Sequence, residues 1–525
     1  MNSQSLTSRL VLKRFISILT VFILIDLLSW PILFSLNLWI LGDRGSFLNL
    51  DYLQSQHLRL GVDVYYAYGL LPVLIQHWLF VLFGMGYWPL IGCAVITLIL
   101  MALFWALYLR HFPEETVWFL ALLATCRIIL WVNPNFPYSL VQLSMLFALL
   151  FVLLGKMDIG LAISALGAWS VPSLSLVLMA SLAFCIILNW YFQPNRSALL
   201  LIRSLAPGIV TYAAVGVLLV TQFGWQSVLA TATPIAGMRF YRVMYYGALN
   251  SSIIQFVHPP NQTVSYYLFY TFCTPVAWWV LSVLSLSVFG VLAIRRMLVN
   301  KVLTNRDVAI TVCAVVHGVF VCFAYGAHVQ HYIFDPLLVM GMLLGLTTLP
   351  KGKARAAFLS IYVCLAVLGQ ATFVRATLSA WKQDVRPPDL TANLYASSDW
   401  VSEWKQILDL STHKNLFLLS YSTGVHDYFP TVHSADAWFL NPGELTPADK
   451  DRLMRKLESA EVVAFDLSSP TTLVDTDPDV QGYLKSLCLT QSTKYFQVWW
   501  RPSQVNGHEC IANLQRVPKD SGYLQ

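Results

Sequence analysis

Along the chain, long apolar runs alternate with short polar connections, and about 20 apolar residues are what one helix needs to cross the hydrocarbon core of a bilayer. Runs of that kind fall at 15–41, 87–109, 117–133, 138–155, 158–169, 171–191, 204–223, 271–294, 308–326, 332–349 and 356–374. The fifth is short. It reads either as its own crossing or, joined to the sixth, as one helix broken around Ser170-Val171-Pro172. Residues 70–85 are apolar too, but they follow a polar aromatic stretch and carry Gln76 and His77, which predicts a juxtamembrane helix near the interface. From about residue 376 the pattern turns polar, with Asp384-Val385-Arg386-Pro387-Pro388 as a breaker, so 376–398 reads as a linker and 399–525 as a water-facing domain. Within that domain we expect a helix over 399–409, a buried strand at Asn415 to Ser420, a helix over 446–458 capped by Thr446, and a second buried strand at Glu461 to Asp466. That order is a small βαβ unit, and Tyr495 to Trp500 supplies a last strand. The expected fold is a polytopic α-helical membrane protein with about eleven transmembrane (TM) helices in 1–375 and a small C-terminal α/β domain outside.

Charge orients this plan, because Lys and Arg collect in short cytoplasmic loops. With the N-terminus inside, the inner connections hold Arg9, Lys13, Arg14, Arg110, Lys156, Arg196, Arg203, Arg295, Arg296, Lys301, Arg306, Lys351, Lys353 and Arg355. The outer ones hold only Arg44, Arg59, Arg239 and Arg242. A crossing at 70–85 would destroy that bias. The basic start and apolar run at the N-terminus resemble a signal peptide, but the run is too long and lacks a small-residue cleavage site, so we read it as the first helix.

Composition agrees: 57% hydrophobic and 11% charged residues are not the balance of a soluble chain of 525 residues. The net charge of +6 is spread along the chain, which excludes the clustered basic face that a nucleic-acid partner requires. Cys93, Cys126, Cys185, Cys273, Cys313, Cys322 and Cys364 sit in apolar runs as packing residues. Cys488 and Cys510 lie in the polar C-terminal region, where they form one disulfide if the compartment is oxidising, or stay two thiols. No internal repeat stands out, unlike many secondary transporters.

The densest chemistry is in the first outer loop, 42–69, which carries Asp43, Asp51 and Asp63 ahead of Val64-Tyr65-Tyr66-Ala67-Tyr68-Gly69. A carboxylate just past the end of a crossing can take the proton from an acceptor hydroxyl while a phosphate leaves, and Asp43 has that position. The plainer reading has Asp43 capping an amphipathic helix that begins near Ser46, with the tyrosines forming an interfacial belt. Ionisable groups inside the crossings are costly and therefore suspect: Asp26, Arg127, His317 and, at the outer edge of the tenth, Asp335. Arg127 and Asp335 read either as a structural ion pair or as part of a substrate cavity. Asn250-Ser-Ser and Asn261-Gln-Thr match glycosylation triplets, which matter only in a eukaryotic secretory pathway. In the C-terminal region, Tyr421 to Gly424 after the first strand is a weak phosphate-turn signal.

An acidic loop after the first helix, an amphipathic helix ending at Gly61, a Tyr-x-x-Tyr-Gly-Leu-Leu-Pro stretch (Tyr65 to Pro72) and a juxtamembrane helix together resemble the start of the GT-C membrane glycosyltransferases. That superfamily includes the protein O-mannosyltransferases, the lipid A aminoarabinose transferases and the bacterial galacturonosyltransferase-like group. The likeness continues at Ser170-Val171-Pro172 and at His328 to Pro336, and the order of parts carries it. It implies an inverting glycosyltransferase of the bacterial inner membrane that moves a sugar from a polyprenyl-phosphate donor to a glycan, lipid or protein acceptor of the cell envelope, on the periplasmic face. By the same resemblance Asp43 is the general base, with Asp51 its rival. Arg59, Arg239, Arg242, His328 and His331 are the candidates for the donor phosphate, with ordinary headgroup contact as the other reading of the arginines. Tyr65, Tyr68, Arg127 and Asp335 would line the substrate cavity. Some members use a divalent cation, so the resemblance leaves one open as a cofactor. The chain differs from the family's usual residues in Arg44 after Asp43, in Ser170-Val171 before Pro172, and in His331 before Tyr332.

Two other functions fit the same pattern. A transporter or flippase of lipid-linked saccharide needs a polar path across the bilayer, against which stand the few charges within the crossings. A non-catalytic envelope scaffold needs none of the loop carboxylates.

Overall fold

The computed structural model describes residues 3–28, 43–66, 68–84, 87–111, 136–194, 197–232, 265, 268, 272–273, 276–323, 336–382, 385–386, 396–421, 423–427, 429–440, 445–468, 471, 473–505 and 510–511. They fall into two compact units, one of Met1–Leu33 with Tyr66–Lys382, the other of Phe34–Tyr65 with Gln383–Gln525. The expected crossing at 117–133 and both Asn triplets lie outside the described residues.

The first unit is helical. It contains α1 (Ser3–Leu28), and the next described helix, α2 (Asp43–Ser55), belongs to the second unit. Then come α3 (Leu71–Phe83), α4 (Tyr87–Tyr108), α5 (Phe136–Leu153), α6 (Met157–Ala168), α7 (Pro172–Phe192) and α8 (Ala198–Ala232). The series continues with α9 (Val276–Asn300), α10 (Asn305–Phe323), α11 (Pro336–Leu346), α12 (Lys353–Leu368) and α13 (Ala371–Lys382). Among the described residues, three stretches, Leu174–Phe192, Ala198–Ala232 and Ala277–Asn300, are long and apolar enough to cross a membrane. Their outer faces are apolar as well: Ile202, Ile209, Val217, Trp225, Leu284 and Val291 are largely exposed.

Several boundaries differ from the hydropathy reading, each for a local reason. α1 begins at Ser3 rather than Phe15, because Arg, Lys and Leu are good helix formers and carry the helix through the polar start. Arg14 on that extension is buried and donates to the Leu109 carbonyl at 2.8 Å, closing the C-terminal end of α4. α8 outruns its expected limits, and its regular path stops at Gly224, whose φ of 79° is a conformation that suits glycine. The run at 356–374 is two helices separated by Gly369 and Gln370, and α13 takes in the first part of the expected linker.

The core of this unit is aromatic around α4, where Phe104, Trp105 and Tyr108 are fully buried and Tyr108 donates to the Met340 carbonyl at 2.9 Å. Small residues let helices approach closely. A Cβ on Gly160 would stand 2.7 Å from the Ala148 carbonyl, and one on Gly345 would enter the Phe289 ring.

The second unit is built on a four-stranded sheet of order β3-β4-β6-β5. Its elements are the short pair β1 (Val385–Arg386) and β2 (Ala396–Ser397), then α14 (Ser398–His413), β3 (Leu416–Leu419), α15 (Pro447–Ser459) and β4 (Val462–Asp466). They are followed by α16 (Leu473–Thr476), α17 (Pro478–Lys485), β5 (Cys488–Ser492) and β6 (Phe496–Trp500). β3 and β4 run parallel through the α15 crossover, while β6 pairs antiparallel with both β4 and β5. β1 and β2 pair antiparallel across the expected linker. Thr446 caps α15 in a reciprocal capping box with Asp449. β5 and α17 had no clear sequence signal, and Cys488 in β5 forms a disulfide with Cys510.

Candidate functional site

The acidic loop helix folds as part of the second unit. On α2, residues Asn49, Leu50 and Leu53 are buried, and the Asn49 side-chain amide donates to Thr423 Oγ1 at 2.8 Å and to the Ala437 carbonyl at 3.1 Å. Thr423 lies just beyond the carboxyl end of β3, the edge at which α/β sheets usually bind ligands. That edge is therefore occupied by the protein's own first loop. Downstream, Arg452 of α15 donates to the Asp63 carbonyl at 2.8 Å and pairs with Asp449 at 2.5 Å, and Asp449 also accepts the Tyr65 N–H at 3.3 Å. Burial pushes the Asp449 carboxyl above its ordinary value, opposed by the Thr446 hydrogen bonds and the Arg452 charge.

At about 100° per residue, Asp51 is turned roughly 200° from Asn49. It is partly buried, and its Oδ1 is closed to solvent. Asp43 is the first residue of α2, about 12 Å along the axis from Asp51. At that spacing a single acceptor hydroxyl meets only one of the two.

Arg59 and Asp63 form a two-pronged ion pair, Nε to Oδ2 at 2.7 Å and Nη2 to Oδ1 at 2.8 Å. The guanidinium hydrogen bond holds the Asp63 carboxyl below its usual range. Arg59 thus latches the loop onto itself, and that ion pair already occupies two guanidinium donors that the expected phosphate role would use. Tyr65 is buried with its ring 6.2 Å from that of Trp438.

In the first unit the structure joins two segments that the sequence singled out separately. The Gly69 N–H donates to the Ser170 carbonyl at 2.9 Å and the Leu71 N–H to the Trp169 carbonyl at 3.0 Å, so Tyr66 to Pro72 is seamed to the α6–α7 turn. The turn exists because Pro172 forces Val171 into an extended conformation (φ −133°, ψ 90°), which ends α6. Trp169 holds it in place by donating from Nε1 to the Tyr212 carbonyl at 3.0 Å and stacking on that ring. Beside the seam, the Ser170 and Ser175 hydroxyls are buried without a partner among the described residues, and Tyr68 packs edge-on against Tyr66.

Arg127, Arg239, Arg242, His328, His331 and Asp335 lie outside the described residues. Asn49, Asp449, Arg452 and Trp169 were missed. Only Asn49 carried a signal, as a lone amide on the apolar face of an amphipathic helix. Among the described residues no three His, Cys, Asp or Glu side chains converge to hold a metal ion. Compared with known proteins, the sequence matches no family model and no curated relative, and no solved structure matches the fold.

Proposed function

We propose that the chain is a membrane glycosyltransferase of GT-C type, moving a sugar from a polyprenyl-phosphate donor to an envelope acceptor at the outer face of a bacterial inner membrane. About eleven helices cross the bilayer, with the N-terminus inside and the sheet unit outside. The observation that carries the reading is the seam between Gly69–Leu71 and the Trp169–Ser170 turn, since it unites two of the segments on which the resemblance rests.

In this reading the site lies over the seam. α6 has 12 residues and rises about 18 Å, against a hydrocarbon core of about 30 Å. Measured from Lys156 at the inner surface, its turn stops short of the outer one, and the Tyr66–Pro72 segment descends to meet it. Non-helical backbone at that depth is tolerated only where protein buries it or a cavity receives it. α3, with 13 residues rising about 20 Å, is placed in this reading as a juxtamembrane helix near the interface. The Cys488–Cys510 disulfide suits an oxidising, extracytoplasmic compartment for the sheet unit.

In this reading Asp51 within α2, or Asp43 at its start, takes the acceptor proton as the lipid phosphate departs. Cations of the outer loops neutralise the leaving charge. Purified protein incubated with a panel of polyprenyl-phosphate sugars should release free polyprenyl phosphate from at least one. Asp51→Asn or Asp43→Asn should cut that release by about 10²- to 10⁴-fold with normal membrane insertion. Release from no donor, or release indifferent to both substitutions, sinks the proposal.

A further inference from the structure

α13 carries a feature that the transferase chemistry does not use. Val367 near the end of α12, then Ala371, Val374 and Leu378, recur at helical spacing as one apolar row. Arg375, Ser379 and Lys382 form a second row beside it, and the seven residues line an open groove of about 570 Å³. Val374, Arg375, Leu378, Ser379 and Lys382 are all exposed. Neither cation has a carboxylate partner among the described residues, and the groove lining contains no acidic side chain.

The position of α13 is fixed. Trp381 Nε1 donates to the Leu28 carbonyl at 2.6 Å, which ties α13 to α1. The Trp381 ring is otherwise exposed, as expected of an indole at the boundary between lipid and water. Arg375 and Lys382 stand two turns apart, about 10.5 Å along the axis, so their flexible side chains can converge on one anion lying over Ser379.

We propose that this groove binds an anionic glycerophospholipid, with an acyl chain along the Val367–Ala371–Val374–Leu378 row and the phosphate between Arg375 and Lys382, Ser379 adding a hydroxyl donor. An exposed apolar row is costly in water, and an adjoining row with two positive charges selects a ligand that is itself part apolar and part anionic. The inference rests on the reading of the chain as membrane-spanning and is independent of the transferase chemistry.

Native mass spectrometry of the full chain in micelles, titrated with phosphatidylglycerol or phosphatidylcholine of the same acyl chains, tests it. Phosphatidylglycerol should be retained about tenfold better, and Arg375→Gln with Lys382→Gln should abolish that preference while leaving phosphatidylcholine retention unchanged. Ser379→Glu, which sets a carboxylate between the two cations, should do the same and covers the case in which the double variant fails to fold. Equal retention of the two lipids by the unaltered protein, or a preference that survives both variants, overturns the proposal. So does displacement of phosphatidylglycerol by millimolar inorganic phosphate, which would mark a site for free anions. Donor turnover is not measured, so failure of the transferase reading leaves the result standing. A chain that stays soluble without detergent would instead refute the membrane reading itself.

Discussion

At Gly69, identity is dictated by space. A Cβ built there would stand 2.0 Å from the Trp169 carbonyl oxygen and 2.4 Å from its carbon, and both belong to backbone that is itself pinned by Trp169 and Pro172. Gly69→Ala therefore has to push the two segments apart and strain both seam hydrogen bonds, at a cost of about 1–3 kcal/mol. Gly92 in α4, where an added Cβ meets nothing, is the control, and Gly92→Ala should be neutral or slightly stabilising. Thermal unfolding of the two variants in the same detergent checks this; equal midpoints would mean that the seam is not a rigid contact. The requirement was half legible in the sequence. Tyr-Gly-Leu-Leu-Pro announced a turn entering α3, but the partner of Gly69 is far along the chain, and nothing local to residue 69 names it. The same limit applied to Arg59, which read as a free cation because a pair with Asp63 emerges only once the loop turns back on itself.

For the helical elements, a window of apolar residues located most of them, since length and hydropathy are local properties. Where one window covered two geometries it misled. Residues 356–374 are uniformly apolar enough to hide the break between helices at Gly369 and Gln370, so α13 was absorbed into a crossing and a linker. In the sheet unit, β3, α15 and β4 were legible because buried strands flanking a capped helix form a local pattern. β5 (CLTQS) has little apolar content to betray it. The seating of α2 was invisible, because an amphipathic helix shows that it docks but not where. The structure makes that seating testable. Asn49 is fully buried and its amide serves two acceptors of the sheet unit, so Asn49→Ala removes both bonds, although Thr423 Oγ1 still donates to the Ala437 carbonyl, a loss of about 1–3 kcal/mol. Hydrogen exchange should quicken along residues 49–55 while the strands β3 and β4 stay protected. Unchanged exchange in α2 would show that Leu50 and Leu53 hold it alone.

For the whole molecule, the consequence of α2 folding into the sheet unit is one of parity. Residues 43–65 and 396–505 share hydrogen bonds in one compact body, so they lie on the same side of any membrane, and the chain between them must cross it an even number of times. The ten expected crossings after the first satisfy this, with α6 as its own crossing and 70–85 outside the bilayer, and parity allows those two choices to change only together. Merging α6 with α7 leaves nine, and adding α3 to the ten gives eleven, each of which would tear the body in two. Hydropathy alone weighed these options against the distribution of Lys and Arg, whereas the parity condition owes nothing to charge. Single cysteines at Ser55 and Ser402, both exposed, should react together in intact cells with a membrane-impermeant maleimide, above the background of the native thiols. Cysteines at Lys156 and Lys301, in turns that the charge bias puts inside, should react only after the cells are opened. Labelling of Ser55→Cys and Ser402→Cys from opposite sides would separate α2 from the sheet unit and remove the carboxylates from it. Labelling of Lys156→Cys from outside would instead reverse the bundle and put Asp43 and Asp51 in the cytoplasm, where a donor presented at the outer face could not reach them.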